Sequence, residues 1–243
     1  GRLNSIGIVL NNFATHNTIG GAAAGEKNIV SNNDRGIDIA SNSATNNIVA
    51  GNYIGTDVTG TKAIPNISWG VLIEVGGRYN VVGGTTEQER NIISGNTFGV
   101  CVSDYGSTQN TIIGNYIGLD VSGSKPIPNQ VGVCVFQSTY NRIGGTRQGE
   151  ANIISANSGN GVRFFGIGST HALLLGNIIG LDATGQDTLP NNTGLLIDGG
   201  SHNMIGGIGL GSANAFSTNN INIQIEYKGT SSNWVAGNTI DGS

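Results

Sequence analysis

Asp198 and Glu226 end two successive segments of one pattern, GLLID and NIQIE. If those segments pair as neighbouring strands, the carboxylates stand about 5 Å apart, the separation used by retaining glycosidases. Arg163, Phe165 and Lys228 fall beside them, so acid chemistry on a polysaccharide is one reading. Paired acids in a repeat are more commonly a solvated face. His171 and His202 hold equivalent positions one repeat apart and could bind a metal, but no third ligand accompanies them, and rings stacked at a surface fit the same pattern. Cys101 and Cys134 are equivalent in two GVCV segments. Their Cα atoms are therefore expected about 4.8 Å apart, within disulfide range, while two unpaired thiols acting as small hydrophobes fit equally. Trp69, Phe136 and Phe165, with Tyr105, form an aromatic strip suited to stacking on sugar rings or to a lateral protein contact. Asp57, Asp120 and Asp182 recur in TDVTG, LDVSG and LDATG at every second repeat, about 10 Å apart and too far to share one Ca²⁺. They are expected to close Asx-turns. No residue set calls for a cofactor.

The elements that carry these residues come from composition and repetition. The chain of 243 residues holds 41 Gly and 4 Pro, is 11% charged, and has a formal charge of −4. So little charge with so much Gly excludes a charged disordered chain, a coiled coil and an ordinary helical enzyme. The mildly acidic balance argues against a nucleic-acid partner. No apolar run approaches the roughly 18 residues that span a bilayer. A start at Gly1 rather than Met is what a processed or trimmed product would show.

Three segments recur at steps of about 31 residues. The first opens at Asn17, Asn47, Asn80, Asn110, Asn141, Ala172, Asn203 and Asn233. The second opens at Asn28, Asn52, Asn91, Asn115, Asn152, Asn177, Asn214 and Asn238. The third opens at Gly7, Gly36, Gly70, Gly99, Gly132, Gly161, Gly194 and Asn222, as in GVLI, GVCV and GVRF. Short, alternating, β-branched segments set off by Gly and Asn are strands, and nothing has a helical period. No unit can bury its apolar side alone, so the units must coil turn on turn at about 4.8 Å. The expected fold is all-β: a single domain over residues 1–243, a right-handed parallel β-helix of about eight turns of three short strands.

In each third segment the first and third residues after the opening position point inward, and all are apolar, from Ile8 and Leu10 to Ile223 and Ile225. Val9, Leu72 and Leu196 point outward, which suggests an exposed apolar column for association. The Asn columns are expected to supply left-handed turns and amide ladders, broken only at Ala172. Long connections alternate: TTEQER and TRQGEA follow the first segment on alternate turns, while TDVTGTKAIPN and LDVSGSKPIPN follow the second on the others. The full period is thus a pair of turns, roughly 62 residues. Sequons at Asn66 and Asn191 sit at the tips of such loops.

The run GVCV, NTIIGNYIG, GVCV resembles the secreted right-handed parallel β-helix proteins of the pectate-lyase-like superfamily, above all repeat-rich bacterial surface and extracellular members. That resemblance covers nearly the whole chain and implies an extracellular or cell-surface location. It is unspecific for activity, since the superfamily includes lyases, hydrolases, epimerases, adhesins and structural repeats. The polygalacturonase-like, lyase and epimerase motifs of the group are missing here.

Neither end shows a cap, and the start matches the ends of the PIPN loops while the finish matches the beginning of one. Two readings follow. One is a non-catalytic extracellular structural solenoid that associates with copies of itself, head-to-tail or through the outward apolar column, into a filament, sheath or adhesive surface. The excised piece of a longer β-helix would look the same at its ends. The other is a polysaccharide lyase, glycoside hydrolase or polysaccharide-binding module acting along the outer face of the third strand column.

Overall fold

The structure, a computed structural model, describes residues 3–241; within them are 24 strands and no helix, hence none long and apolar enough to cross a membrane. Three parallel sheets of eight strands each account for all of them. Sheet 1 collects the first segments, from Thr18–Gly20 to Trp234–Ala236, and sheet 2 the second, from Ile29–Val30 to Thr239–Asp241. Sheet 3 collects the third: Asn4–Leu10, Asn33–Ala40, Trp69–Glu74, Phe98–Ser103, Val131–Phe136, Asn160–Phe165, Thr193–Asp198 and Ile221–Glu226. Each strand pairs with its counterpart one turn away, in the register set by the repeat, as in Val71 with Val100 and Val133 with Val162. The chain is a parallel β-solenoid of eight turns.

The inward columns of sheet 3 form the main core with those of the other sheets: Ile37, Val71, Val100, Val133, Val162 and Leu195 are all fully buried. Each such side chain contributes on the order of 1.5–3 kcal/mol. On the last turn the same columns open. Ile225 is 48% exposed where Ile197, one turn earlier, is at 0%.

Three asparagine ladders, one per corner, tie the turns together. In the second-segment ladder, Asn52 donates from its backbone N–H and from Nδ2 to Asn91 Oδ1 at 2.9 and 3.1 Å, and Nδ2 also reaches the Ile19 carbonyl at 2.8 Å. The first-segment ladder breaks at Ala172 as expected; there Asn141 Nδ2 donates to Ser138 Oγ at 3.1 Å instead. The third ladder runs at or just before the starts of the sheet 3 strands, through Asn4, Asn33, Asn66, Asn96, Asn129, Asn157, Asn191 and Asn219. It went unseen in sequence because its spacing to the following Gly shifts between three and four residues. Asn66 and Asn191 belong to it and are fully buried, so the two sequons are ladder rungs and not loop tips.

The left-handed residue at the sheet 1 corner is not the ladder Asn but the one before it. His16, Asn46, Tyr79, Gln109, Tyr140, His171, His202 and Ser232 all have φ between 54 and 58°. Such a φ costs an L-residue roughly 1–2 kcal/mol, and the ladder bonds at the next residue hold it there.

The alternation of long loops has a spatial cause. Asp57, Asp120 and Asp182 close small hairpins: Asp57 Oδ1 accepts the Thr61 and Lys62 N–H groups at 3.0 and 3.1 Å, and Asp182 Oδ1 those of Gln186 and Asp187 at 3.0 and 3.1 Å. Each hairpin is two chains thick, so it spans two turns and meets its successor. Val121 N–H donates to the Gly60 carbonyl at 3.0 Å and Ala183 N–H to that of Gly123 at 2.9 Å. Gly123 is held at φ 70°, and a Cβ there would collide with Ala183 and Tyr116.

Candidate functional site

The outer face of sheet 3 carries three side-chain columns, one at the strand starts, one at the centre and one at the ends. The central column is not the exposed apolar strip that its composition suggests. Val9 is exposed, but Leu72, Cys101, Cys134 and Leu196 are buried. Trp69, Phe98 and Phe136 lean over Leu72, Cys101, Val131 and Cys134 and pack with them as a second apolar cluster. Large flanking rings remove more apolar surface from water by folding onto the column than by standing free.

Between these rings lies a cavity of about 250 Å³ lined by Trp69, Leu72, Glu74, Phe98, Cys101, Ser103, Cys134, Phe136, Arg163 and Phe165. Trp69 stacks on Phe98 with ring centroids 6.1 Å apart, and Phe136 stacks on Phe165 at 5.0 Å. In the end column Ser103 separates Glu74 from Phe136, and its small side chain leaves the gap open. Seven residues singled out from the sequence therefore meet in one place: Trp69, Leu72, Phe136, Phe165, Arg163, Cys101 and Cys134. Tyr105 is exposed and lines no part of it. Phe98, Glu74 and Ser103 are the lining residues that sequence reasoning missed, although Phe98 precedes Gly99 just as Trp69 precedes Gly70.

Charged groups frame the cavity in fixed pairs. Arg35 donates from Nη1 to Asp38 Oδ2 at 2.7 Å and to Glu74 Oε1 at 2.8 Å, with its guanidinium 5.1 Å from the Trp69 ring centroid. Asp38 is buried; desolvation pushes its pKa up, and Arg35 only partly offsets this. Asp38 chiefly, and Glu74 as well, push Arg35 up in turn. On the far side Arg163 lies 4.3 Å from the Phe165 ring centroid and donates from Nη2 to Asp198 Oδ2 at 2.7 Å. Asp198 and Glu226 are register partners, but their carboxylates are differently engaged: Glu226 accepts Gln224 Nε2 at 2.7 Å.

Cys101 and Cys134 are register partners and buried, and both are free thiols rather than a disulfide. The Cys134 thiol, and then burial, push Cys101 well above the ordinary thiol range. His171 and His202 lie at the sheet 1 corner, outside the cavity lining, with rings stacked at 5.3 Å and 8° and Tyr140 continuing the stack at 4.7 Å. Each histidine Nδ1 contacts the hydroxyl of the residue before it, Thr170 at 3.1 Å and Ser201 at 3.2 Å. Among the described residues no three His, Cys, Asp or Glu side chains gather as a metal-binding group.

The chain matches no protein-family model, no curated protein and no solved structure.

Proposed function

We propose that this protein is a non-catalytic extracellular or cell-surface solenoid of the pectate-lyase-like type that binds a saccharide on the outer face of sheet 3. The observation that carries this reading is the convergence of Trp69, Phe98, Phe136 and Phe165 on one cavity whose rim offers Glu74, Ser103 and Arg163. Sugar rings present C–H faces to aromatic rings and hydroxyls to polar rims, which is the chemistry assembled here. At about 250 Å³ the cavity falls just below the roughly 300 Å³ at the small end of ligand pockets, so it suits one sugar unit of a chain lying across the turns. The carboxylates nearest the rings are held in ion pairs, Asp198 with Arg163 and Glu74 with Arg35, and among the described residues no second carboxylate faces Glu74 across the cavity, which favours binding over turnover. Affinity electrophoresis against neutral and acidic polysaccharides tests the reading. Retardation of the intact chain, weakened about tenfold by Trp69→Ala or Phe136→Ala, supports it. Migration unaffected by any polysaccharide removes it, and depolymerisation abolished by Asp198→Ala or Glu226→Ala replaces it with a lyase or hydrolase.

A second reading is self-association of the solenoid through exposed apolar side chains, among them Ile225 and Ile240. Electron microscopy at high concentration separates fibres from discrete particles.

A further inference from the structure

From the stacked cysteines we infer a binding site for a soft monovalent d¹⁰ cation, Cu(I) or Ag(I), held linearly between Cys101 and Cys134 on the floor of the sheet 3 cavity. The inference does not depend on the saccharide reading.

Three observations carry it. The first is spacing. Cys101 and Cys134 are direct register partners on adjacent parallel strands about 4.8 Å apart, and side chains in matching rotamers would hold their sulfurs at that separation. Two metal–sulfur bonds of about 2.3 Å laid end to end span about 4.6 Å. A disulfide needs sulfurs at about 2.05 Å, for which two like-oriented side chains must turn toward each other. The second is surroundings. Both thiols are buried, free and packed with Leu72, Phe98 and Phe136, which gives a mostly apolar shell with soft ligands and no oxygen donor in the central column beside them. Thiolates of this kind select Cu(I) over harder cations, and two ligands are too few for the tetrahedral site that Zn²⁺ takes. The third is charge. Binding releases one proton from each thiol, two in all, and converts two neutral thiols and one cation into a bis-thiolate complex of net charge −1. The next residue in the same column, in register with Cys134, is Arg163. Its Nε is buried and has no hydrogen-bond partner among the described residues, although Nη2 is engaged by Asp198. A thiolate at Cys134 supplies both the missing acceptor and the matching charge.

The test offers Cu(I) to the reduced full chain from its bicinchoninate complex and follows the loss of the chelator's colour. The expected result is one Cu(I) per chain, no comparable uptake of Zn²⁺, and loss of uptake in both Cys101→Ser and Cys134→Ser. Arg163→Gln is expected to weaken binding roughly 10- to 100-fold. X-ray absorption on the unsubstituted, loaded chain is independent of whether any variant folds and should show two sulfur ligands and no others. Failure to take Cu(I) from the chelator, full uptake by either serine variant, or a first shell of three or more ligands overturns the inference. So does ready closure of a Cys101–Cys134 disulfide in air, since that places the sulfurs within bonding reach of each other.

Discussion

Arg163 reaches across one turn of the solenoid to Asp198, with Nη2 2.7 Å from Oδ2, and this contact divides the pair of acids that sequence spacing puts together. Asp198 becomes the ion-pair partner of the cavity-lining Arg163, and Glu226 is left to Gln224 at the exposed end of the sheet.

Loss of Arg163 should therefore be felt as an unpaired, partly buried carboxylate. Arg163→Met is expected to lower unfolding free energy by about 1–2 kcal/mol, less than the 3–5 typical of a fully buried pair because both side chains keep some solvent. Adding Asp198→Leu should recover most of the loss. Urea titration of the single and double variants measures both effects, and a double variant no better than the single would show that the pair is not the cause.

The ladders make a different prediction. Asn115 Nδ2 donates to Asn152 Oδ1 at 3.0 Å and to the Val82 and Ile113 carbonyls at 2.9 Å each, all buried. Each buried group left without a partner costs about 1–3 kcal/mol, so Asn115→Ala should destabilise by at least ~2 kcal/mol. Ala172→Asn restores the missing rung between Asn141 and Asn203 and should raise stability by about 1 kcal/mol. The two variants are expected to shift the thermal midpoint in opposite directions.

At the left-handed corner, Gln109 sits at φ 57°. A β-branched residue tolerates that region worst and glycine best. Gln109→Val should cost about 1–2 kcal/mol, whereas Gln109→Gly should be close to neutral, since relief of strain offsets the added freedom of the unfolded chain. Denaturant midpoints of the two variants decide the matter.

Acid should loosen the hairpins before the core. Backbone N–H groups of Gln186 and Asp187 and the Thr184 hydroxyl outweigh desolvation and hold Asp182 below the ordinary Asp range; Thr59, Thr61 and Lys62 do the same for Asp57. A carboxylate with a depressed folded pKa stabilises the fold fully above its unfolded value, about 4, and loses that contribution as pH falls through the folded value. Amide exchange at Thr61, Lys62, Gln186 and Asp187 is expected to lose protection below about pH 4 relative to the core strands, and Asp182→Asn should show the same loss already at neutral pH.

The amino-acid sequence by itself determined the turn count, the three sheets and the inward face, because these follow from local alternation repeated at a constant step. Val71, Val100 and Val133 are inward in any register that stacks like on like. It also brought out two of the three asparagine ladders; the third, through Asn66 and Asn191, was hidden by a one-residue change in spacing. The sequence likewise marked Trp69, Phe136, Phe165 and Arg163 as outward residues able to recognise a ligand. Only the tertiary structure decided what those residues do. Trp69 and Phe98 lean over Leu72 and Cys101, Ser103 leaves a gap above Phe136, and Arg163 turns to Asp198 instead of standing free. The lean of an outward side chain is set by the volumes and charges of its neighbours one turn above and below. Those neighbours lie some 30 residues away in the chain and are brought into contact only by the coiling of the solenoid.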